Sequence, residues 1–331
     1  MKKHVVLTVF LALLISSVAG GLTIKLGSPF PEGSAWDTSL KRMADRWREI
    51  SGGQISVRIY PGGIVGDEDD MLRKMGFNQL DSAVLTIFGM KSLVSDTFVM
   101  ALPGILQSEA ELDYAINEFA PRFSENFISK GVRVLSWSKS GWAYFYTADK
   151  VQSPNELRRE KLSVSNTDSE LAGNFKTLGF NVVPLALNEV MTALQSGMVT
   201  AVYCPPIAAA AYQWFAKAPY MLDFKLSPVI GGIVISERTW QRIPAKFHAD
   251  LLQAVDEVSR EFYEEAENLN DKAMDVMRKN SLVVTDLSER EGKEWGKVFT
   301  DGHALLIGPD KWIANKVYKD FTAALEKMRQ Q

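Results

Sequence analysis

Few side chains in this sequence carry the chemistry of a reactive centre. Cys204 is the single cysteine, and neither His248 nor His303 stands in a recognisable motif with it that would generate a thiolate. It reads as a small buried thiol. Ser163 lacks the Gly-x-Ser-x-Gly elbow that exposes a serine nucleophile. The three histidines, His4, His248 and His303, form no ligand-spaced pair, so no metal site and no cofactor is expected. The acidic run Asp67–Asp70 lacks the glycine and glutamate spacing of a calcium loop and reads as a solvated helix start favoured by the helix dipole. The remaining chemistry is aromatic. Trp142, Tyr144 and Tyr146 alternate along one run, and Tyr203 and Trp214 follow further on. Such rings either wall a cavity for an apolar ligand or fill a core. Strand alternation sets Trp142, Tyr144 and Tyr146 on one face and Ala143 with Phe145 on the other, so one set alone can face a cleft.

The elements that must position these residues follow from length and pattern. A chain of 331 residues with 46% hydrophobic and 23% charged residues suits two globular lobes. A formal net charge of −3 gives no nucleic-acid footprint. The N-terminus reads as a secretory leader: Lys2, Lys3 and His4 are basic, Val5–Ile15 is apolar, and Ser17-Val18-Ala19 is a small-residue cleavage site. Cleavage after Ala19 is expected, with an uncleaved anchor as the alternative. It would leave 35 of the 37 basic residues against 40 acidic ones, a mature charge of −5. No other run reaches membrane-spanning length, and a lone cysteine rules out an internal disulfide.

Leu22–Gly27 reads as a strand. A helix from about Ser34 carries Trp36, Leu40, Met43, Trp47 and Ile50 on one stripe, and Gly52-Gly53 stops it. Ile55, Val57 and Ile59 alternate as a half-buried strand. Ser82–Ile87 is β-rich, and Ser108-x-x-Glu111 is a capping box. Val132–Tyr146 is long for one strand and is expected to leave one lobe and enter the other near Gly141. Lys161–Ser165 is another strand, and Ser227–Ile235 is the expected return crossing. Pro244–Lys279 is a helical pattern of roughly 50 Å, enough to brace both lobes. Alternating strands and helices make the fold class α/β. The expected organisation is lobe I over 20–140 plus about 231–262, lobe II over 141–230, and C-terminal helices over 280–331 packed on the lobes.

Several separated motifs share an order with one known family. Glu49-Ile50-Ser51-Gly52-Gly53-Gln54-Ile55 leads through Tyr60-Pro61-Gly62-Gly63 to Val65-Gly66-Asp67-Glu68. Ala101-Leu102-Pro103, Ser153-Pro154-Asn155-Glu156-Leu157 and Thr192-Ala193-Leu194-Gln195-Ser196-Gly197-Met198-Val199 follow. Together they resemble the DctP-type solute-binding proteins of TRAP transporters over essentially the whole mature chain. The resemblance implies a two-lobed periplasmic solute-binding fold with crossing strands and a long bracing helix. It also implies hinge closure on a small ligand and delivery to TRAP permease membrane subunits. A similarity to the TPR-associated subset implies a tetratricopeptide-repeat partner in the periplasm.

The departures from the family pattern bear on the ligand. The family's "K-I-R-V-P" becomes Lys161-Leu162-Ser163-Val164-Ser165, so the carboxylate-pairing arginine position falls on Ser163. A second arginine of some members aligns with Ala143, and the polar amide before the corner proline is Cys204. A serine cannot replace the charge or the bidentate fork of a guanidinium. An uncharged or partly hydrophobic ligand is therefore expected, lined by Trp142, Tyr144, Tyr146, Ser163, Asn166, Tyr203, Cys204, Trp214, Phe30 and Phe88. Alternatives are a carboxylate binder with a displaced cation such as Lys139 or Arg238, an envelope interaction module with a degenerate site, and, least favoured, an enzyme.

Overall fold

The computed structural model describes residues 21–166 and 169–330. The leader expected over residues 1–19 lies outside them. β1 (Leu22–Gly27) leads into α1 (Ala35–Ile50), where the Ser34 side chain accepts from the Asp37 N–H and Trp36, Leu40, Met43 and Trp47 are buried. β2 (Ile55–Tyr60) returns parallel to β1. Asp67 caps α2 (Glu68–Gly76), and β3 (Ser82–Thr86) runs directly into α3 (Ile87–Leu93). Ser108 caps α4 (Glu109–Ser129), which precedes β4 (Val132–Trp142) and β5 (Tyr144–Thr147).

A second group of elements follows: α5 (Pro154–Leu157), β6 (Lys161–Ser165), α6 (Ser169–Thr177), β7 (Asn181–Leu185) and α7 (Val190–Ser196). Next come β8 (Ala201–Cys204), α8 (Pro206–Ala211), β9 (Tyr220–Leu222), β10 (Pro228–Ser236) and α9 (Glu237–Arg242). The chain closes with α10 (Ala245–Lys279), β11 (Val283–Thr285), α11 (Glu289–Leu306) and α12 (Asn315–Arg329). These elements build two sheets with strand orders β2-β1-β3-β10-β4 and β11-β9-β5-β8-β6-β7, each packed with helices. The fold is α/β and two-lobed.

The crossings differ in detail from the sequence expectation. Val132–Tyr146 is two strands, with β4 in the first sheet, β5 in the second and Ala143 between them. Gly141, just before the break, has φ +93°, a conformation that side chains with a Cβ avoid. The return crossing is residues 223–227, because all of β10 pairs within the first sheet. The two glycines in β10 serve close backbone approach: a Cβ on Gly231 would lie 2.4 Å from the Leu85 carbonyl oxygen, and one on Gly232 2.6 Å from that of Ser136. Unforeseen in the sequence, β11 joins the second sheet beside β9.

α10 has 35 residues, roughly 50 Å at ~1.5 Å per residue. Its first half buries Leu251, Val255 and Val258 against the first sheet, and Arg46 of α1 bridges to Glu257 at 2.6 Å and Glu261 at 3.1 Å. Further along, Phe262 packs in the second lobe's core. Asn270 on α10 ties the crossing in place: its amide donates to the Ser140 carbonyl at 3.0 Å, and its side-chain oxygen accepts from the Ile207 N–H of α8 at 3.0 Å. The C-terminal helices divide between the lobes. α12 packs on α4 through Phe321 and Phe119, with Arg329 pairing to Glu111, whereas Trp295 and Phe299 of α11 stack against Phe145 of β5.

Asn270→Leu keeps the volume but leaves one buried carbonyl and one amide at the crossing without partners. It should lower the unfolding free energy by about 2 kcal/mol in urea titrations, a loss not matched by Asn280→Leu at the exposed end of the same helix.

Candidate functional site

Between the two sheets lies a cavity of about 180 Å³. The first lobe contributes Phe30, Trp36, Glu68 and the β3–α3 turn through Phe88. The second lobe contributes Ser163–Asn166, Val202–Pro205, Tyr212 and Trp214, while Ser138, Ser140, Ala143 and Pro228–Gly231 of the crossing strands form the floor. Seven of the ten expected site residues line it: Phe30, Phe88, Ser163, Asn166, Tyr203, Cys204 and Trp214. Phe30 stacks on Trp36 with ring centroids 4.4 Å apart, and Trp36 Nε1 donates to Ser140 Oγ at 3.2 Å, which fixes this wall against the floor.

Trp142, Tyr144 and Tyr146 do not line the cavity. The break at Ala143 resets the alternation, so Ala143 faces the ligand space and Phe145 turns to Trp295 and Phe299. Trp142 Nε1 donates instead to Glu109 of α4 at 2.7 Å. Tyr144 is half-buried beside Cys204 in the strand register, and desolvation raises its hydroxyl pKa to about 12. Tyr146 is fully buried in the core behind Cys204 and Trp214.

No arginine, lysine or histidine is among the described residues lining this cavity. Lys139 is occupied elsewhere, 2.5 Å from Asp113 and 3.1 Å from Glu109, and Arg238 lies on α9, outside the cavity. Burial drives the Cys204 thiol pKa well up, so the group is a neutral wall and not a nucleophile.

The carboxyl groups in the lining are those of Asp67 and Glu68. The sequence reading of this run as solvated fails at Glu68, which is 7% exposed. Glu68 Oε2 accepts from the Thr86 N–H at 3.1 Å, Thr86 Oγ1 at 3.1 Å and the Gly89 N–H at 2.8 Å. Desolvation outweighs these bonds and raises its pKa to about 7. A signal was present in the sequence: Glu68 shares a helical stripe with Met71 and Met75, both buried. Trp36, Tyr212 and Thr86 were also missed as lining residues. Trp36 was read only as helix stripe, but its ring serves core and cavity together.

Direct bonds cross the cleft. Asn166 Nδ2 donates to Asp67 Oδ2 at 3.2 Å, and the Tyr212 hydroxyl donates to the Pro29 carbonyl at 2.9 Å. The lobes are therefore closed on the cavity.

A family model described as DctP, bacterial extracellular solute-binding protein, family 7, matches residues 26–304. The chain belongs to the DctP family. It is 25% identical over 236 residues to the sialic acid-binding periplasmic protein SiaP of Vibrio cholerae, covering 69% of this chain and 71% of that one. A solute-binding protein of Chromohalobacter salexigens is 23% identical over 237 residues, 70% of this chain and 68% of its own. Among solved structures, the sugar acid binding protein DctPAm from Advenella mimigardefordensis in complex with galactonate superposes with a TM-score of 0.86 at 16% identity, covering 93% of this chain and 98% of that one. A TRAP periplasmic solute-binding protein from Xanthobacter autotrophicus with bound β-D-galacturonate gives 0.82 at 16% identity, covering 91% and 99%. Membership of the DctP family makes the chain a bacterial extracellular solute-binding protein. No described helix is long and apolar enough to cross a membrane.

Glu68 predicts a pH dependence of stability. Its folded pKa is raised above the unfolded value of 4.5, so the native state holds a proton that the unfolded chain releases. The contribution is favourable below pH 4.5 and is lost as pH rises through about 7, by up to about 3 kcal/mol. Urea titrations at pH 5 and pH 8 should show the wild type losing stability relative to Glu68→Gln; parallel curves would refute the burial of an ionisable carboxyl there.

Proposed function

We propose that this chain is a periplasmic solute receptor that closes its two lobes on an uncharged, largely apolar small molecule and delivers it to the membrane subunits of a TRAP permease. The observation that carries the ligand class is the cavity lining, which has no arginine, lysine or histidine among the described residues and includes Ser163 and Ala143, the places that the sequence resemblance aligns with the family's arginines. A carboxylate moved into such a space loses several kcal/mol of hydration without a counter-charge, and Asp67 in the same lining opposes it further. The relatives whose names specify a ligand bind acids: sialic acid, galactonate and galacturonate. The chemistry of this cavity supports a departure from them. Export through the leader over residues 1–19 belongs to the same reading, and a periplasmic tetratricopeptide-repeat partner rests on the sequence resemblance alone.

Native mass spectrometry of the purified mature protein, followed by solvent extraction, tests the ligand class. A neutral co-purifying molecule is expected; a sugar acid or dicarboxylate would overturn it. Titration calorimetry adds a gain-of-function arm. The wild type should give no heat with galacturonate, whereas Ser163→Arg should bind it, because a guanidinium at that position supplies about 2 kcal/mol or more of charge-assisted hydrogen bonding.

A further inference from the structure

Residues 307–314 join α11, which stacks on β5 of the second sheet, to α12, which packs on α4 of the first lobe. This segment is a further link between the lobes, and it is tightly tied. The Ile313 N–H donates to the Leu306 carbonyl at 3.0 Å and the Gly308 N–H to the Ile313 carbonyl at 3.0 Å. The Ala314 N–H donates to Asp96 Oδ1 at 2.8 Å, which fixes the end of the segment to the first lobe.

Trp312, buried in this segment, meets three different partners. Its ring packs edge-on against Phe98 with centroids 4.9 Å apart, and Lys91 Nζ of α3 stands 3.6 Å from its centroid. From that seat on the first lobe, Nε1 donates to Glu170 Oε2 in the first turn of α6, a helix of the second lobe. Lys91 is 6% exposed, whereas Glu170 is open to solvent. Burial pushes the Lys91 pKa down to about 8, while the carboxylates of Glu170 and Asp69 pull it the other way. Phe98 also packs against Phe88, and both line the main cavity, so Trp312 rests on a ring that itself walls the ligand space. Lys91 and Phe98 stay with the indole when the lobes part. The bond to Glu170 is the one that separates.

We propose that Trp312 is the fixed half of a clasp and Glu170 its moving half, fastening the α6 flank of the closed cleft. The seat on Lys91 and Phe98 holds the indole in place before closure, so fastening orders little beyond the Glu170 side chain. The clasp is distinct from the bonds of Asn166 to Asp67 and Tyr212 to Pro29, which engage the loops after β2 and β1. It rests on lobe closure in the reading above and not on the ligand class.

The test places spin labels on Glu125→Cys of α4 and Lys176→Cys of α6, both exposed positions, and reads the lobe separation by double electron–electron resonance. The full mature protein is used at pH 7, with equal cavity occupancy across variants checked by native mass spectrometry. The wild type should show a dominant short distance. Trp312→Phe keeps a ring for Lys91 and Phe98 but removes the N–H, and Glu170→Ala removes the acceptor. Each should move population to a longer distance, lowering the closed-to-open ratio about fivefold. Glu170→Gln, whose amide oxygen still accepts, should recover part of the closed population. The double variant should be no more open than Glu170→Ala alone, because the indole bond is already lost there. Glu170 is exposed, so its replacement keeps the test valid if Trp312→Phe fails to fold. Distances unchanged in Glu170→Ala, a double variant that opens further than Glu170→Ala, or a wild type already at the long distance would each overturn the clasp. A sugar acid found in the cavity would overturn the ligand class and leave the distance comparison standing.

Discussion

The waist of this molecule is held by a reciprocal pair of backbone hydrogen bonds. The Ala143 N–H donates to the Ser227 carbonyl at 2.9 Å, and the Leu226 N–H donates to the Ala143 carbonyl at 2.9 Å. These residues belong to the outgoing and returning crossings, so the β4–β5 and β9–β10 passages between the sheets are bonded to one another. A buried backbone amide without a partner is costly, and a crossing between sheets leaves the ladder that would ordinarily satisfy it. The structure resolves this by pairing the crossings with each other and by inserting Asn270 of α10 against Gly141. Everything about the cleft depends on that arrangement, because its floor is made of the same residues.

The electrostatics of the cavity follow from what the floor and walls omit. With serine and alanine at 163 and 143, the second lobe offers hydroxyl and hydrocarbon where a guanidinium would focus negative charge. The first lobe meanwhile brings a carboxyl into the same space, held by the start of α3. Desolvation then favours the neutral form of that carboxyl, and the described lining holds no cation to draw an anion in. Lys139, close in sequence to the floor, is turned out to α4 by Glu109 and Asp113 and changes nothing inside.

Much of this was legible in the sequence, for physical reasons that also explain what was not. The long helix, the capping serine at 108, and the alternation of strands with helices are local patterns, and they appear where local energetics place them. The serine at 163 is read as a missing arginine through the family resemblance alone, and the lining shows that no described arginine, lysine or histidine reaches the cavity from elsewhere. The orientation of Trp142, Tyr144 and Tyr146 was not, because alternation holds only within an uninterrupted strand, and the chain breaks pairing at Ala143 to change sheets. Glu68 was misread because charge dominates the appearance of Asp67–Asp70, whereas its burial is set by a partner turn 18 residues later. β11 escaped because three residues give too short a pattern to be read alone.

The cleft-spanning bonds from Asn166 to Asp67 and from Tyr212 to Pro29 have a kinetic meaning. They join protein to protein, and their strength is the same whatever the cavity holds. A captive molecule can leave only after these bonds break, so its dwell time contains a factor that the captive itself does not set. The barrier to escape is thereby raised by the same amount for every occupant, while the ratio of dwell times between two occupants is left to the contacts each one makes.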